Sequence, residues 1–170
     1  MTTTPPNTTI VELPIEPLTA EGFAPFGTVI APSDDGAPFG PDDAVLALDQ
    51  GTPRFYTMQI PGRGLLVQKI TRHRRVTQVL AAAGGHDWVV GVAPPLAVDE
   101  PDAAPALDAI KAFRIPGDTA VMLAVGTWHA GPLFEGEPRA FFNLELSDTN
   151  VVDHHTCNLV ETYATALHLI

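Results

Sequence analysis

Two histidines stand where a small acid–base site could form. His73 lies in Thr71-Arg72-His73-Arg74-Arg75-Val76-Thr77-Gln78, and His129 lies in Gly126-Thr127-Trp128-His129. Imidazole titrates near neutrality, so it can take or give a proton, and its neutral form is a common metal ligand. Side chains in a strand alternate with period two, so Leu65, Val67, Lys69, Thr71 and His73 share one face. That face has an apolar base and a polar tip. Gln78 then heads a second strand, where an apolar residue is the ordinary expectation, and Gly84-Gly85 closes it. Two histidines at the ends of separate strands predict one shared pocket.

Other residues can be placed around that pocket. Glu145 is a second candidate base, sharing its strand face with Phe141 and Asn143. Lys69 shares a face with Thr71 and His73. Arg72, Arg74 and Arg75 form a basic cluster in an acidic chain, fitting either attraction of small anions or a solvated hairpin turn. Thr71, Gln78, Arg72, Trp128 and Asn143 complete the expected substrate-binding set. His73, Gln78 and His129 are the candidate metal ligands. Two imidazoles and a neutral amide fall short of the usual ligand set, so only a weakly bound divalent metal is expected. His154, His155 and Cys157 are read as tail or interface, because adjacent strand residues point opposite ways.

The elements that must position these groups are short. The chain has 17 Pro and 14 Gly among 170 residues, scattered so as to favour strands over long helices. Residues 1 to 9 read as a loose arm. Thr19 should cap a single helical turn before the strand 26–30. Residues 32–43 are a surface loop by composition. Strands follow at 55–60, 64–73, 86–93, 119–125 and 140–146, the segment 86–93 being nearly all apolar and so central. Residues 107–113 read as helical turns or the start of a strand. The body, 10–158, is one all-β domain of sandwich or barrel type, most naturally a jelly roll. Residues 159–170 form a tail packing on the barrel or on a dimer partner.

Composition limits the partners. Apolar residues make up 45% of the chain, which describes a globular body. The net charge of −11, with only nine basic residues, argues against nucleic acid or anionic lipid. The single cysteine, Cys157, excludes an intrachain disulfide and fits a reducing compartment. No apolar run approaches the ~18 residues of a membrane span. The N-terminus shows no secretory pattern, so the cytoplasm is expected.

The residues also carry a resemblance. Thr71, His73, Gln78 and Gly85 occupy the slots of the first cupin motif, a His-x-His pair followed by Glu and Gly. Pro116-Gly117-Asp118, Gly126 and His129 match the second. More closely, the chain resembles the ureidoglycolate lyase family of allantoin (purine) catabolism. Pro17-Leu18 and Phe23 to Ile30 match that family's start. Arg72-His73 with Thr77-Gln78 match its central motif, and Trp128-His129 with Pro132-Leu133 match its Trp-His-His-Pro-Leu. The departures are specific. The family's motif Glu is Thr71 here, the second His is absent with Ala130-Gly131 before Pro132, and the carboxylate of the last core strand is Glu145.

The resemblance implies a cupin-type double-stranded β-helix, a homodimer to which the tail Tyr163 to Ile170 could contribute, and a carbon–nitrogen lyase. Such an enzyme splits a ureidoglycolate-like hemiaminal acid into glyoxylate and urea. That chemistry needs a base for the carbinol hydroxyl, an acid for the departing nitrogen and a cation for the carboxylate. His73 and His129 would divide the proton transfers, with Glu145 and Lys69 as further catalytic candidates. Two other readings stay open on the same residues: a divergent cupin enzyme acting on another small polar substrate, and a non-catalytic small-molecule-binding cupin.

Overall fold

A computed structural model describes residues 7–170. Most of the expected N-terminal arm lies outside the described residues, and its last residue, Thr9, already opens a strand, Thr9–Leu13. The fold is all-β, with two main sheets facing one another and a third laid over one of them. The first main sheet runs Gly27–Ile30, Ala120–Leu123, Gln78–Ala82, Arg139–Leu146, Pro53–Ile60 in spatial order. The second runs His155–Asn158, Lys69–Arg72, Trp128–Leu133, Trp88–Ala93, Lys111–Ile115, Ile15–Pro17. A smaller sheet joins Thr9–Leu13, Thr165–Leu169 and Leu66–Val67.

Alternation within the strands explains both layers. In Trp88–Ala93 every residue is buried. Trp88, Val90 and Val92 face a core shared with Ile60, Leu80, Val121, Leu123 and Phe141 of the opposite sheet. Val89 and Ala93 point the other way, into a second core with Trp128, Cys157, Leu167 and Leu169. A strand covered on both faces has no reason to alternate, which is why this one reads as a continuous apolar run. The first core fills the barrel interior between the two main sheets. The second seals the outer face of the six-stranded sheet.

Several local expectations hold for stated reasons. The helix Ala20–Phe23 is capped by Thr19, whose hydroxyl accepts from the Gly22 N–H at 3.0 Å. Residues 107–113 divide into a 3-10 turn, Leu107–Ala109, and the strand Lys111–Ile115. A Cβ on Gly117 would collide with the Gly85 carbonyl, so the turn at 116–118 can nest against the Gly84-Gly85 turn only with glycine there.

One expectation needs correction. The single strand read over 64–73 is broken at Gln68: Leu66–Val67 pairs with the C-terminal strand, and Lys69–Arg72 joins the six-stranded sheet. Of the two places expected for the tail, the described chain shows the first, packing on its own barrel. Leu159–Tyr163 is helical, and Thr165–Leu169 pairs in parallel with Thr9–Leu13. Leu167 and Leu169 are buried within this one chain, so they are not free to meet a dimer partner.

Candidate active site

The polar residues of the barrel collect at one end of its interior. His129 lies opposite Val92 and Thr71 in register, on the inward face of the six-stranded sheet. His73 follows just after the Lys69–Arg72 strand, and its ring centroid is 5.0 Å from that of His129. Across the barrel, the strand Arg139–Leu146 alternates Phe141, Asn143 and Glu145 inward, and Phe141 closes the apolar floor. Gln78, Asn143 and Glu145 are all buried, Glu145 completely. The fold brings His73 and His129 together, and Gln78 stands in the Glu145 network. Gln78 bonds to Glu145, and the Glu145 charge reaches His73, where it favours the protonated ring.

Hydrogen bonds define the carboxylate's role. Gln78 Nε2 donates to Glu145 Oε2 at 3.1 Å and to Asn143 Oδ1 at 3.2 Å. The Tyr56 hydroxyl and Asn150 Nδ2 both donate to Glu145 Oε1, at 3.1 and 3.0 Å. Asn143 Nδ2 in turn donates to the Tyr56 hydroxyl at 3.1 Å. Three donors on one carboxylate match its acceptor-only, ionised form and leave about one acceptor position open. A carboxylate accepts but does not donate, so Gln78 must turn its nitrogen toward Glu145. Its oxygen, Oε1, is left buried without a partner among the described residues. A buried acceptor with no donor is costly unless a ligand fills the gap.

Both imidazoles are tied through the same atom. His73 Nδ1 contacts the Asp153 carbonyl at 2.6 Å, and His129 Nδ1 contacts the Thr127 carbonyl at 3.2 Å. A carbonyl can only accept, so both rings carry hydrogen on Nδ1 and keep the Nε2 lone pair. Burial pushes the His129 pKa down to about 3, with the neighbouring His73 adding to the shift. Burial also lowers His73, opposed by the Asp153 carbonyl and by the charges of Asp153 and Glu145. Both rings are therefore neutral at pH 7.

This sets a pH dependence of stability. Above the unfolded value of about 6.5 both states hold His129 neutral, and it contributes no slope. Below that pH the unfolded chain gains a proton that the folded chain refuses until about 3. Stability should thus fall as pH drops through this window, by up to about 1.4 kcal/mol per pH unit for this residue. Urea unfolding at pH 7.5 and 4.5 measures it. His129→Asn should show a shallower loss than the parent, and equal losses in both proteins would contradict the assignment.

The remaining expected site residues are distributed less simply. Thr71 is half-buried beside His129, with its hydroxyl 2.9 Å from that of Thr156. Trp128 points away from the site into the second core, because it neighbours His129 on one strand and must face oppositely. Arg72 is also on that outer side and is fully buried. Its guanidinium donates to the carbonyls of Leu96, Ala97 and Glu100 and to His155 Nδ1, and lies 4.6 Å from the Trp128 ring centroid. Neither is placed to touch a substrate in the barrel. Lys69 is exposed opposite Asn158, two positions farther along the strand than Thr71, and no hydrogen bond or ion pair ties it to the site among the described residues.

Four contributors were not anticipated. His154 sets its ring 5.7 Å from His73 and lines a cleft of about 280 Å³ with Arg74, Arg75 and Asp153. Asp153 holds the basic turn by accepting the N–H groups of Arg74 and Arg75 at 2.7 and 2.9 Å. Tyr56 and Arg54 enter from the edge strand Pro53–Ile60. The period-two spacing of Arg54, Tyr56 and Met58 was a usable signal, but nothing in it says which face is concave.

A comparison with protein-family models matches residues 41–166 to the family described as ureidoglycolate lyase. A search of curated proteins gives no match.

Proposed function

The chain belongs to the ureidoglycolate lyase family, and from that premise we propose that it splits ureidoglycolate into glyoxylate and urea, with His73 moving the proton. What supports this role is the pair of neutral, Nδ1-anchored imidazoles beside the Glu145 network. His73 Nε2 takes the carbinol proton. The carbonyl of glyoxylate forms as the carbon–nitrogen bond breaks, and the electron pair leaves on the urea nitrogen. The imidazolium made in the first step returns its proton to that nitrogen.

His73 suits this cycle better than His129. The charges of Glu145 and Asp153 favour its protonated ring, whereas His129, at about 3, is too weak a base to share the work. His129 instead offers a neutral Nε2 as hydrogen-bond acceptor to the substrate. Glu145 stabilises the transient imidazolium across the barrel, with its oxygens held by Tyr56, Gln78 and Asn150. Gln78 Oε1, the orphaned acceptor, is a natural partner for a ureido N–H.

A divalent cation would use the same atoms in place of proton transfer through His73: His73 and His129 through Nε2, and Gln78 through Oε1. Such an ion would polarise the substrate oxygens. Among the described residues no group of three His, Cys, Asp or Glu is arranged to hold a metal, so any affinity rests partly on a neutral amide. Dialysis against a chelator is expected to strip it, read by elemental analysis. A stoichiometric metal surviving extended chelation would contradict this ligand set.

A cytoplasmic homodimer is part of the proposal, supported by the lone buried thiol and the family resemblance. No helix among the described residues is long and apolar enough to cross a membrane. The deciding assay is glyoxylate release from ureidoglycolate by the purified chain. Absence of release overturns the lyase reading.

A further inference from the structure

The reaction needs a cation for the substrate carboxylate, and Lys69 is not tied to the site. Arg54 is differently placed. It lies opposite Glu145 in the antiparallel register, and Tyr56 lies opposite Asn143. Directly paired residues project from the same face of a sheet. Arg54, Tyr56, Asn143 and Glu145 therefore share the concave side, with Arg54 at its rim. The Arg54 guanidinium carbon sits 3.6 Å from the Tyr56 ring centroid, stacked on the same phenol whose hydroxyl bonds to Glu145 and accepts from Asn143.

This guanidinium has no hydrogen bond or ion pair among the described residues, in a chain of net charge −11. The arginines near the basic turn are spent otherwise. Arg72 and Arg74 bind loop carbonyls, and Arg75 binds Gln50 and Asp148. Arg54 thus presents a planar fork of donors, fixed by stacking but unoccupied, and such a fork matches a carboxylate in two-point fashion. Deeper in the barrel, the unpartnered Gln78 Oε1 awaits a donor. Cation at the rim and acceptor inside complement a small acid that carries N–H groups at its other end.

We propose that Arg54, held on the Tyr56 ring, binds the substrate carboxylate and makes the site selective for ureido acids over uncharged hemiaminals. The assignment rests on the lyase reading for its substrate, but binding of glyoxylate, which carries the same carboxylate, tests it without turnover. Arg54→Gln is expected to raise KM for ureidoglycolate by roughly 10- to 100-fold, more than it lowers kcat, and to weaken glyoxylate binding by a similar factor. Arg54→Lys should recover only part, since an ammonium keeps the charge and loses the fork. Glyoxylate affinity is read by calorimetry on parent and variants. Equal glyoxylate affinity in parent and Arg54→Gln, or an unchanged KM, overturns the proposal. A parent that binds glyoxylate through Arg54 yet releases none from ureidoglycolate supports the carboxylate site and removes the lyase reading alone.

Discussion

His73→Gln is expected to lower kcat on ureidoglycolate by about 100- to 10,000-fold, the range covered by loss of a general base. Glutamine keeps a side chain of similar reach but has no lone pair basic enough to take the carbinol proton. The effect should fall on kcat more than on KM, because the proton moves only on the way to the transition state. Glu145→Gln should act in the same direction through a different cause. It removes the charge that favours protonated His73 and turns one accepting oxygen into a donor facing Gln78, Tyr56 or Asn150. A rate–pH profile separates the two. In Glu145→Gln the acidic limb of the profile should move to lower pH, since His73 becomes harder to protonate. Parental kcat in His73→Gln would remove His73 from the proton path and leave Glu145, with its one open acceptor position, as the base.

The second large effect concerns stability. Arg72→Leu is expected to destabilise the fold by about 3 kcal/mol, enough to lower Tm by roughly 6–12 °C in a chain of this size. The side chain is wholly buried and forms no ion pair with a carboxylate among the described residues. Its value lies in donors: Nη1 to Leu96 and Ala97 at 3.2 and 3.0 Å, Nη2 to Glu100 at 2.6 Å, and Nε to His155 at 3.0 Å. Leucine would fill part of the volume beside Trp128 and remove the guanidinium donors from three carbonyls of the 94–105 loop, of which Ala97 O and Glu100 O keep a backbone N–H and Leu96 O keeps none among the described residues. Lysine would keep the charge but could not span all three, so Arg72→Lys should recover only a fraction. Thermal unfolding at neutral pH measures both. A change below about 0.5 kcal/mol for Arg72→Leu would mean that water replaces the guanidinium freely.

What the residues alone determined was the class of fold and the level at which chemistry occurs. Short apolar runs between Gly and Pro turns specify an all-β chain because each run can bury only one or two faces. Period-two alternation placed Thr71 with His73 and Phe141 with Asn143 and Glu145, and the barrel keeps those groupings. The His73, Gln78 and His129 landmarks were legible because polar residues at strand ends are unusual in a core.

Tertiary structure decided which of the two faces is concave and which strands meet across it. Alternation alone makes Trp128 and His129 equal candidates; only the second core beneath the small sheet sends Trp128 outward. Arg72 reads from the sequence as a substrate-binding cation or as part of a solvated basic turn, yet a loop far along the chain folds its carbonyls over it. Lys69 and Arg54 were both cations near strand ends, and pairing across separations of dozens of residues sets Arg54, not Lys69, opposite Glu145. Register between distant strands comes from the packing of whole faces, and no local spacing encodes it.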